Sequence, residues 1–103
     1  MDAKLRALAD ETRREILGLV WKEERTAGDI AYRFDMSRPA VSQHLGVLLG
    51  CNLIAVRREG TRRLYLANHQ AISNLRNELE MFWDTSLSRL KDDAEAPKRK
   101  RRR

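Results

Sequence analysis

Cysteine is nearly absent: Cys51 stands alone in 103 residues, so no disulfide can form within the chain and a reducing compartment is expected. Long apolar runs are missing too, and nothing approaches the roughly 20 residues that a membrane helix needs. The opening Met1–Arg6 lacks the apolar core of a signal peptide. A cytoplasmic protein without a membrane partner is therefore expected. Histidine is limited to His44 and His69. With one cysteine and scattered carboxylates beside them, these offer no nucleophile–base pair, no metal centre and no cofactor site. No glycine-rich phosphate loop is present either. An enzyme is excluded on these grounds.

What is abundant is charge, at 35% of residues, with a net value of +6. The last six residues, Lys98–Arg103, are all basic and supply that excess alone, leaving 15 basic against 15 acidic groups in residues 1–97. Within that balanced body, residues 37–66 hold five arginines (Arg38, Arg57, Arg58, Arg62 and Arg63) against one acid, Glu59. A concentrated basic stretch beside acidic flanks suits a polyanion, of which nucleic acid is the commonest. The plainer alternative is a solvated charged surface.

Helical periodicity dominates the chain. Leu5, Leu8 and Ala9 form a first short stripe, and Asp10 caps a second helix carrying Ile16, Leu17, Val20 and Trp21. Thr26 with Asp29 has the form of a capping box ahead of Ala27, Ile30, Ala31 and Phe34. After a tight Asp35–Ser37 connection, Ser37 caps a helix whose first turn tolerates Pro39. Val41, Leu45, Leu48 and Leu49 line its buried face, and Gly50 stands where a terminating glycine belongs. The period then changes to that of two short strands, Leu53–Val56 and Leu64–Leu66, around a charged tip with Gly60 in the turn. Asn68 caps a long last helix bearing Ile72, Leu75, Leu79, Phe82, Trp83, Leu87 and Leu90. Ala96–Pro97 breaks that helix, giving one domain over residues 1–96 and a disordered basic tail over 97–103.

A short helix, a tight turn and a capped second helix make a helix-turn-helix, whose second helix enters the major groove of DNA. On a wheel with Val41 at zero, Leu45 and Leu48 lie within about 40°, whereas Arg38, Pro39, Ser42, Gln43 and Gly46 occupy roughly 60° to 200°. Arg, Gln and Ser are the side chains that pair with base edges, so Arg38, Pro39, Ser42 and Gln43 are the expected readers. The hairpin that follows adds Arg57, Arg58, Thr61, Arg62 and Arg63, which with the cap Ser37 are expected on the DNA backbone or minor groove. Helix-turn-helix plus basic hairpin is the winged-helix arrangement: mainly α, about five helices, with a β-hairpin wing. His44 falls beside the core stripe and is expected to support the groove face, and Cys51 to be buried and inert.

The stretches Leu8–Leu17 (LADETRREIL), Ser37–Leu45 (SRPAVSQHL) and Arg57–Tyr65 (RREGTRRLY) resemble the ArsR family of bacterial repressors, over residues 4–91. The resemblance implies a repressor that dimerises through its first and last helices and binds an inverted-repeat operator. Surplus apolar surface on the last helix agrees with such a homodimer, with Leu5, Leu8, Leu75, Leu79, Phe82, Trp83 and Leu87 at the seam. The family's metal positions fall here on Thr26 and Gly28, and on Asn68, Gln70, Met81 and Asp84, which supply no ligand set. Metal sensing at those sites is therefore not expected. An effector, whether small molecule or protein, is left open. A winged helix used for protein contact is the competing reading, and it requires an apolar outer face on the second helix.

Overall fold

The computed structural model describes residues 1–95, so the expected break at Ala96–Pro97 and the basic tail lie outside the described residues. The order of elements is α1 (Asp2–Leu8), α2 (Glu11–Leu19), α3 (Ala27–Phe34), α4 (Arg38–Gly50), β1 (Ile54–Glu59), β2 (Arg62–Ala67) and α5 (His69–Glu95). Five helices and a two-stranded antiparallel hairpin match the winged helix-turn-helix expectation.

Local chemistry sets the helix starts. Asp10 accepts from the Arg13 backbone N–H at 3.0 Å, Thr26 from Asp29 at 3.1 Å, Ser37 from Ala40 at 3.2 Å and Asn68 from Ala71 at 3.1 Å. Each side chain satisfies one of the N–H groups that a helix start leaves without a partner. The capping box at Thr26 is only half made, because the Asp29 carboxylate turns outward to Arg25 and Arg33 instead.

Helix ends depart more from expectation. Gly50 is the last residue of α4, and Asn52 takes the left-handed conformation, at φ 66°. Leu53 N–H donates to Leu48 O and Asn52 N–H to Leu49 O, which closes the helix as a Schellman motif. Asp35 ends α3 in the same way, at φ 52°. Both Asn and Asp tolerate this region through short polar side chains. At the first helix, Ala7 rather than Ala9 turns inward, since α1 stops at Leu8 and Ala9 belongs to the junction with α2.

The core lies between α2, α3, α4 and the base of the hairpin. Ile16, Val20, Ile30, Val41, Leu45, Leu48, Leu53 and Ile54 are completely or almost completely buried. Burying each such side chain contributes about 1.5–3 kcal/mol. Trp21 lies just beyond α2 and is only half-buried; it stacks on His69, with ring centroids 4.1 Å apart. His69 Nε2 also donates to Trp21 O at 2.6 Å, which pins the start of α5 to the end of α2.

Helix α5 has two parts. Ala71 and Leu75 are buried, and Ile72 and Leu79 pack against the core. Leu75, expected at a dimer seam, is therefore already covered by its own chain, because it faces the same way as Ala71 one turn earlier. Beyond Leu79 the helix leaves the core: Phe82, Trp83, Leu87 and Leu90 are 52%, 59%, 43% and 61% exposed. Among the described residues no helix is long and apolar enough to cross a membrane.

Candidate nucleic-acid interface

Helix α4 presents the two faces the wheel anticipates. Val41, Leu45 and Leu48 point into the core, and Arg38, Pro39, Ser42, Gln43 and Gly46 are exposed. Ser37 is spent on the cap, which leaves its hydroxyl at the same surface. The N-terminal half of the helix is free to approach a groove, since it is the C-terminal half that runs into the hairpin.

The hairpin is longer and more regular than the expected strands of four and three residues, with six residues in each strand. Its arginines sit inside the strands, not in the tip: Arg58 faces Arg63, Glu59 faces Arg62 and Arg57 faces Leu64. Only Gly60 and Thr61 form the turn, and Gly60 at φ +63° provides the positive torsion that a two-residue hairpin loop needs at its first position. Side chains alternate along a strand, so Arg58 and Arg63 share one face of the wing and Arg57 and Arg62 the other.

That alternation separates the arginines chemically. Arg57 makes a two-pronged ion pair with Glu24, at 2.5 and 2.8 Å, and also approaches Glu59 at 3.5 Å. The Arg57 hydrogen bonds hold the Glu24 carboxyl below the usual glutamate range, and Arg57 is raised in return, chiefly by Glu24. Arg57, expected on DNA, is thus engaged by its own chain. A backbone bridge backs this contact: Arg25 N–H donates to Tyr65 O at 3.1 Å and Tyr65 N–H to Arg25 O at 2.8 Å. Together they fasten the wing to the segment that precedes α3.

Wing and helices enclose a cleft of about 520 Å³, bounded by Thr26–Gly28 at the start of α3, by Arg38 and Ser42 of α4, and by Thr61–Arg63 with Tyr65. Arg38 lies across this cleft. A Cβ added to Gly28 would stand 3.3 Å from Arg38 Nη1, so a bare backbone here lets the guanidinium lie close over the helix start. A helix N-terminus and three arginines around one concavity favour an anion. The nearest acid on α3, Asp29, is already bound to Arg25 and Arg33 at 3.2 and 3.0 Å. Among the described residues no group of three or more His, Cys, Asp or Glu side chains is placed to hold a metal ion.

Sequence reasoning passed over two residues here. Neither Glu24 nor Arg13 is singled out by composition, periodicity or capping. The acidic pair Glu23–Glu24 ahead of a basic hairpin is a signal in principle. Which glutamate meets which arginine, 33 residues apart, depends on the tertiary fold.

Comparison with known proteins places these features. The model of a family described as "Bacterial regulatory protein, arsR family" matches residues 10–56. An HTH-type transcriptional regulator of Mycobacterium tuberculosis is 40% identical over 87 residues, spanning 84% of this chain and 81% of its own. The transcriptional repressor SdpR of Bacillus subtilis is 36% identical over 82 residues, covering 80% of this chain and 91% of its own. The homodimeric winged helix-turn-helix DNA-binding domain of a possible ArsR-family transcriptional regulator from Mycobacterium bovis superposes with a TM-score of 0.67. It is 30% identical and covers 81% of this chain and 77% of that one.

Proposed function

The chain belongs to the ArsR family of bacterial regulatory proteins, and from that premise we propose that it represses transcription as a homodimer on an inverted-repeat operator. It is a winged helix-turn-helix transcriptional regulator, not an enzyme. The observation that carries the finer reading is the electropositive cleft between α4 and the wing, set beside a polar, exposed recognition face.

In this reading the N-terminal half of α4 enters the major groove, where Gln43 and Ser42 reach base edges and Pro39 packs against them. Arg38 lies over Gly28 and so takes a backbone phosphate at the α3 N-terminus in preference to a base. Thr61, Arg62 and Arg63 close over the same strand from the wing, and Arg58 shares the face of Arg63. Arg57 contributes by holding the wing at its angle through Glu24. The basic tail, Lys98–Arg103, adds affinity without sequence preference. The dimer forms through Leu5 and Leu8 of α1 with Leu79, Phe82, Trp83 and Leu87 of α5, a surface that the single chain leaves largely open. The site of action is the cytoplasm, on the nucleoid.

Fluorescence-anisotropy titrations of the full chain against the DNA upstream of its own gene, and against a scrambled duplex, test this. A preference of about 10³ or more for the native duplex is expected. Arg38→Ala should weaken binding to all sequences and lower the salt dependence, whereas Gln43→Ala should relax discrimination at one base pair. Salt-driven binding without any preference among genomic duplexes would defeat the regulatory reading. Failure to bind DNA would favour use of the winged helix in protein contact.

A further inference from the structure

Arg13 touches more of the chain than its place on the surface of α2 suggests. Its backbone N–H completes the Asp10 cap, which directs the side chain back over the end of α1. There Nε donates to Ala7 O at 2.7 Å and Nη2 to Arg6 O at 3.3 Å, while the neighbouring Arg14 covers Leu8 O at 2.8 Å. Arg6 O also accepts from the Ala9 N–H at 3.2 Å, but Ala7 O and Leu8 O are helix-end carbonyls, and a cation at that end is electrostatically favoured. The remaining prong, Nη1, reaches α4: it lies 3.4 Å from His44 Nδ1 and 3.9 Å from Asp10 Oδ2. One planar fork thus spans the end of α1, the cap of α2 and the recognition helix. The side chain is 19% exposed, so packing holds the fork in place.

We propose that Arg13 is a positioning residue that transmits the placement of the dimerisation helix α1 to the recognition helix α4 through His44, and so sets the half-site spacing the dimer accepts. The inference rests on the dimeric DNA-binding reading above. Helix α1 carries Leu5 and Leu8 toward the seam and Ala7 into the core, and α4 carries the groove-reading face. Arg13 is the polar link between them at a separation of 31 residues. In a two-fold dimer any tilt of α4 counts twice, and one base pair of spacing is only about 3.4 Å. The arginine–histidine contact has a defined requirement: a guanidinium only donates, so Nδ1 must accept, which needs the ring proton on Nε2. Histidine at this position is thereby an acceptor for the fork as well as a packed side chain.

The test uses the full chain and duplexes that the wild type selects from a random pool, with the two half-sites kept and the spacer changed by one or two base pairs. Wild type is expected to favour a single spacing. Arg13→Ala should reduce that preference on the order of tenfold while leaving discrimination within each half-site intact. His44→Leu should behave like Arg13→Ala, and His44→Gln, which retains an acceptor, should restore the preference. Nitrogen-15 NMR of the His44 ring should show the Nε2–H form in wild type and loss of that bias in Arg13→Ala. An Arg13→Ala dimer with native melting, sedimentation and spacing preference would overturn the proposal. Should that variant fail to fold, equal spacing preferences in His44→Leu and His44→Gln would overturn it as well. Absence of any duplex preference in the wild type would instead bring down the regulatory reading, and the spacing role with it.

Discussion

Replacing Arg63 by glutamine, with Arg57→Gln as an internal control, separates wing arginines that serve DNA from those that serve the fold. Strand register puts Arg63 on the face that lines the cleft, two residues before Tyr65. Arg57 stands on the opposite face, held by Glu24. A dimer offers two wings, so if each Arg63 neutralises one phosphate, the variant leaves two phosphates to their counterions. Each neutralised phosphate contributes about 0.9 to the slope of log affinity against log salt, so the Arg63 variant should be shallower by about 1.8. Between about 50 and 200 mM salt, the gap between wild type and variant should therefore shrink about tenfold. Arg57→Gln should leave the slope unchanged, because its charge is already met within the chain. Anisotropy titrations across the salt series read both quantities. Equal slopes for wild type and Arg63→Gln, or a larger drop for Arg57→Gln, would refute the division.

Three further outcomes are expected. Asp10 is held below the usual aspartate range, first by the Arg13 backbone N–H, so its stabilising effect is present above about pH 4 and fades as pH falls through the depressed value. Asp10→Asn keeps the cap acceptor but removes this ionisation, and thermal melts over an acid series should show a flatter decline. Ile30→Ala or Leu45→Ala, each emptying a site that is at most 1% exposed, should cost about 2–5 kcal/mol in urea unfolding. Trp83→Asp, at a position 59% exposed in the single chain, should leave the domain folded yet sediment as a monomer at micromolar concentration.

Much of this architecture was legible in the sequence because its causes are local. Caps at Asp10, Thr26, Ser37 and Asn68 act over three residues, and the two faces of α4 follow from helical period alone. Helix ends were less legible, since Gly50 drew attention while Asn52, two residues on, took the left-handed turn. Properties that need the tertiary fold were out of reach. The Glu24–Arg57 pair joins residues 33 apart, and the Arg13–His44 contact residues 31 apart; no local pattern says which residue meets which. Leu75 and Phe82 belong to one apolar stripe, yet one is buried and the other 52% exposed. Periodicity identifies the stripe, and only the fold shows where the core beneath it stops.

The bridge between Arg25 and Tyr65 has a consequence for how the molecule behaves at high concentration. A lone hairpin has two open sides, each able to recruit a strand from another molecule. Here one side of β2 is occupied by β1 and the other is taken up, at Tyr65, by the Arg25 backbone. An incoming strand is left with β1, where Arg57, Arg58 and Glu59 would resist being covered. The same attachment that fixes the wing against the helices thus protects the chain from sheet-to-sheet aggregation.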